Sequence, residues 1–83
     1  MSKIDIVCKW FKKAEDDLIV ARHLYEDLYP KQIEIICYHA QQTIEKALKG
    51  FLIYNDIEAP KTHDLVALCR MCSKIDSTFK EIT

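Results

Sequence analysis

In the stretch CYHAQQTIEKALKG, residues 37–50, His39, Gln42 and Lys46 stand three and four residues apart, the interval that sets side chains on one side of an α-helix. Such a set has the chemistry of phosphate and base recognition: the ammonium supplies charge, the imidazole a donor, and a glutamine amide pairs with a base edge. The row extends beyond these three. At 100° per residue, Ile35, His39, Gln42, Lys46, Lys49 and Ile53 fall within an arc of about 80°. A solvated face would explain the polar members, but the two isoleucines would be exposed in a monomer, so the row reads as a contact surface.

His63, with Lys61, makes a second candidate anion site, because it falls where a helix begins and backbone N–H groups are free. The plainer alternative is an exposed helix-start residue. Asp17 projects about 20° from Trp10, inside an apolar stripe, where an unpaired carboxylate is costly to bury. It needs a partner or water, and is expected to orient the other polar groups or a ligand; the alternative is solvation or a bond within a helical bundle. No Gly-rich phosphate loop, H-E-x-x-H pair or Ser/His/Asp constellation is present, so no catalytic residue, metal site or cofactor is expected. Only Cys69 and Cys72, in CRMC, have metal or redox spacing, and burial as small apolar side chains explains them better than zinc.

The elements that position these residues are helices. One glycine and two prolines leave few breaks, and no run alternates apolar with polar as a strand does. A first helix over about residues 4 to 28 has Ile6, Trp10, Ala14, Leu18, Ala21, Leu24, Tyr25 and Leu28 on a broad core face. Pro30 closes it and starts the second, about 31 to 54, whose core stripe is Ile33, Ile36, Cys37, Ala40, Ile44, Ala47, Leu48 and Phe51. So short a connection makes the pair antiparallel. Asn55, Asp56 and Pro60 then turn the chain. Thr62 is placed to cap a third helix with Leu65, Leu68, Cys69, Cys72 and Ile75 as its core stripe. Asp76 or Ser77 opens a fourth helix that stops at Thr83 as if truncated. The chain is thus expected to form one all-α domain over residues 1–83, incomplete at its C-terminal end.

At 83 residues the domain is of marginal size, so a partner chain would help it. Twelve basic against thirteen acidic side chains leave a charge of −1, and any basic site must be local. Charges interrupt the first residues every few positions, which argues against a secretory leader, and no apolar run has membrane-spanning length. A cytosolic protein with free thiols and no membrane contact is the expectation.

Taken together, WFKKAEDDLIVARHLYE, CYHAQQTIEKALKGFLIYND and APKTHDLVALC closely resemble the HEPN family, named for higher eukaryotes and prokaryotes and for proposed nucleotide binding. The likeness runs from Trp10 to Cys72. Its most specific part is H-A-x-Q-x-x-E-K-A-L-K from His39 to Lys49, followed by Pro60 and Thr62-His63-Asp64-Leu65. The resemblance implies an antiparallel up-and-down helical bundle, commonly a homodimer, often paired with a small nucleotidyltransferase and sometimes acting as toxin and antitoxin. Many members are metal-independent endoribonucleases marked by an Arg and, four to six residues on, a His. Here Arg22 is followed at once by His23 and next by His39, while Arg70 has no histidine after it. The reading is therefore a non-catalytic module for nucleotide or RNA, or for a partner nucleotidyltransferase, with Asp17, His39, Gln42, Lys46 and His63 at the site. Two alternatives stay open: a ribonuclease toxin whose motif lies beyond residue 83, and a purely structural dimerisation domain.

Overall fold

The computed structural model describes residues 2–76. They form three helices, α1 (Lys3–Asp27), α2 (Ile33–Tyr54) and α3 (Leu65–Ser73). α1 opens on a capping box: the Ser2 hydroxyl accepts from the Asp5 N–H at 3.2 Å, and the Asp5 carboxylate accepts from the Ser2 N–H at 3.3 Å. α2 begins at Ile33, beyond Pro30, and ends before Asp56, whose φ of 63° lies in the left-handed region that Asp tolerates better than most residues. α3 starts later than expected. Asp64 caps it, accepting from the Val66 and Ala67 N–H groups at 3.0 and 3.2 Å, and Thr62 instead accepts from the Asp64 N–H at 3.1 Å.

α1 and α2 form the antiparallel hairpin, and α3 packs on α2. Small residues let the hairpin close tightly. Ala14 and Ala21 are buried on α1, and a Cβ built on Gly50 would lie 3.2 Å from Trp10 Cβ and 3.3 Å from the Phe11 ring. The main core lies between α2 and α3, where Leu48, Leu52, Leu68, Cys69 and Cys72 cluster. Each large apolar side chain fully buried there contributes about 1.5–3 kcal/mol over its exposed state. The expected burial of Cys69 and Cys72 is observed.

The expected stripes need correction. On α1, Val7, Ala14 and Ala21 are buried, whereas Ile6, Leu18, Tyr25 and Leu28 are exposed. One neighbouring helix covers only a narrow line of α1, not a broad face. On α2, Leu48 is buried but Ile33, Cys37 and Ile44 are exposed. Ile75, expected on the third helix, lies beyond the end of α3 and is exposed. The polar row taken for a free contact surface turns towards α1 instead, leaving His39, Gln42 and Lys46 half-buried and Lys49 buried. α1 makes this tolerable by offering partners: the Thr43 hydroxyl, beside the row, lies 3.1 Å from the Ala14 carbonyl oxygen, and Asp17 receives the cations. The expected fourth helix lies outside the described residues.

Candidate functional site

Asp17 is the junction of the hairpin. One carboxylate oxygen is 2.8 Å from His39 Nδ1, and the other accepts from the Lys46 ammonium. The Asp17 side chain is 13% exposed and those of His39 and Lys46 are 25% exposed. Burial works to raise the Asp17 pKa, but the hydrogen bonds and charges of Lys46 and His39 together outweigh it, and the carboxyl titrates below the usual aspartate value. The partner that the sequence position demanded is therefore a lysine and a histidine from α2.

A second carboxylate, Glu45, stands one turn along the same seam with its side chain 5% exposed. It accepts from the Lys49 ammonium at 3.4 Å and lies 2.9 Å from His63 Nδ1. His63 itself is 80% exposed, so the imidazole ties the segment entering α3 to α2 while its outer edge stays open. The anion site expected at the start of α3 does not form in that way. Asp64 occupies the Val66 and Ala67 N–H groups, and His63 faces Glu45 instead.

Between α1, α2 and this segment lies a cleft of about 600 Å³, within the range of small-molecule sites. Asp17, Gln42, Lys46 and His63 line it; His39 reaches it only through Asp17, and Lys61 does not line it. Trp10 forms an aromatic wall, with the Lys13 and Lys49 ammonium groups each 5.9 Å from its ring centroid. Periodicity places Trp10 in the core stripe of the first helix and gives no sign of Lys13 as a cleft residue. Glu45 carried two signals, its fixed place in the H-A-x-Q-x-x-E-K-A-L-K pattern and its position four residues before Lys49, a favourable helical pair.

A second depression, of about 550 Å³, is lined by Ile6, Ile53 and Ile57 and bridged by the Lys3–Asp56 ion pair at 3.2 Å. Its floor is apolar and lacks convergent donors, so the Trp10 cleft is the better candidate. Among the described residues no group of His, Cys, Asp and Glu is arranged to hold a metal ion, and no helix is long and apolar enough to cross a membrane.

Fold and cleft together define a small all-helical domain whose polar residues converge on the seam of an antiparallel helix pair. A family model for the HEPN domain matches residues 7–83, nearly the whole chain, and the chain belongs to that family. No curated protein and no solved structure matches it.

Proposed function

We propose that this HEPN domain is a binding module whose Trp10 cleft takes a nucleotide or a short stretch of RNA. The observation that carries the reading is convergence: Asp17 from α1, Gln42 and Lys46 from α2 and His63 from the segment before α3 line one cavity, and His39 is bonded to Asp17. The cleft offers what a nucleotide needs. A base stacks on Trp10, an interaction worth about 1–3 kcal/mol per base in single-strand binders. The Gln42 amide, which has no hydrogen bond among the described residues, reads a base edge, and Lys13 with the outer nitrogen of His63 meets phosphate. NMR titration with AMP and with a short oligoribonucleotide tests the reading. Signals of the Trp10 indole, the Gln42 amide and the His63 imidazole should move together, and their constancy through millimolar ligand refutes it.

A second reading, compatible with the first, is contact with another chain, either a second copy or a nucleotidyltransferase. It is favoured by Ile4, Phe11, Leu18 and Tyr25, all exposed and spaced seven residues apart along one side of α1, the repeat that seats a partner helix. Introducing Leu18→Asp should lower the sedimentation mass of any assembly. An assembly indifferent to that charge would not use this row.

A further inference from the structure

We infer that the Trp10 cleft selects ligands carrying a single phosphate group, with Asp17 and Glu45 acting as internal anions that exclude nucleoside triphosphates. The inference rests on the nucleotide reading and adds to it a limit on ligand charge.

Three ammonium groups line the cleft, those of Lys13, Lys46 and Lys49, and so do three carboxylates, those of Asp16, Asp17 and Glu45. Two of the three cations are already occupied: Lys46 donates to Asp17 and Lys49 to Glu45. Both carboxylates are more than four-fifths shielded from water, so they cannot swing aside as surface groups do. Asp16 pairs at 2.9 Å with Lys12, a residue outside the cleft lining, so it does not occupy Lys13. Lys13 has no carboxylate within ion-pair distance among the described residues. His63 has spent Nδ1 on Glu45, leaving its outer nitrogen. What remains for an incoming anion is one full positive charge, one imidazole nitrogen and the Gln42 amide.

That set matches one phosphate, whether the monoester of a nucleoside monophosphate or the diester of an RNA linkage. A triphosphate brings further negative charges towards two carboxylates with no unoccupied cation to receive them. Each extra charge gives up part of its hydration with no free cation to replace it, since Lys46 and Lys49 are held by Asp17 and Glu45, and weakens binding by roughly three- to tenfold. Asp17 is the specificity-determining residue in this scheme, because removing its charge both deletes an anion and releases Lys46.

Trp10 is the sole tryptophan of the chain, so its fluorescence reports on the cleft alone. The experiment titrates the intact protein with AMP, with the diribonucleoside monophosphate ApA and with ATP, without magnesium, at fixed ionic strength. AMP or ApA should bind about tenfold more tightly than ATP, and whichever of the two is tighter distinguishes a free monoester from an RNA linkage. Lys13→Gln, at a position on the helix surface, should weaken the preferred ligand about tenfold with helicity unchanged. Asp17→Asn, checked for folding by circular dichroism, should move the preference towards ATP by about tenfold. ATP binding as tightly as AMP and ApA in the wild-type protein would overturn the charge limit and leave the nucleotide reading standing. No response to any of the three would overturn both.

Discussion

Replacing Asp17 by Asn removes a charge while nearly preserving shape, so it isolates what the carboxylate does for the hairpin. In the native protein the group takes hydrogen bonds from two donors, and net contributions to charged groups run at about 1.5–3 kcal/mol each. Loss of one partner from a fully buried ion pair costs about 3–5 kcal/mol. His39 and Lys46 keep a quarter of their side-chain surface in water, so they recover part of their solvation and the cost falls to about 2 kcal/mol. That is a large share of the roughly 4–12 kcal/mol expected for a domain this size. Thermal unfolding should drop by about 8–16 °C. The pH dependence has a definite sign. The folded-state pKa of Asp17 is lowered, so its contribution is fully present above the unfolded value near 4 and disappears as pH falls through the folded one. Urea unfolding followed by circular dichroism should show a gap between wild type and variant at pH 7 that closes as pH falls below 4. Equal stability at pH 7, or an undiminished gap at pH 2, would refute the argument.

Two other outcomes follow from the buried groups. Lys49→Met leaves the Glu45 carboxylate, itself 5% exposed, with His63 as its remaining partner, and should destabilise the domain by about 2–4 kcal/mol. Adding Glu45→Leu should recover most of the loss, since neither charge then remains to be desolvated; urea midpoints of the single and double variants check this. Pulsed alkylation of the native protein near pH 8, read by intact mass, should modify Cys8 and Cys37 quickly and spare Cys69 and Cys72. Burial, aided by neighbouring Cys69, pushes the Cys72 thiol up to about 11, so little of it is thiolate at that pH.

The helical content and the antiparallel hairpin were legible because breakers are scarce and the turn is short. Rotation about each helix axis was not. Periodicity on α2 correctly separated a polar row from an apolar stripe, but it assumed that the apolar side turns inward. The row from His39 to Lys49 faces α1 because Asp17 lies opposite it, a fact carried jointly by two helices and invisible in either. Asp17 illustrates both halves of the lesson: its place beside Trp10 showed that it needed a partner, yet nothing local named Lys46 and His39. The start of α3 failed for a smaller reason. Thr62 and Asp64 are both good caps, and the carboxylate, closer to Leu65, took the N–H groups.

The polar seam also constrains how this domain can respond to a ligand. Lys46, His39 and Lys49 hold carboxylates that join α1, α2 and the segment entering α3, so an anion that captured them would have to dismantle the contacts that position the cleft. Each such exchange leaves a carboxylate shielded from water without its cation, the most expensive arrangement available to it. Lys13, the outer nitrogen of His63 and the Gln42 amide carry no such burden. A ligand that uses only these groups and the face of Trp10 gains its contacts without loosening the hairpin, and its binding therefore adds to the stability of the fold instead of competing with it.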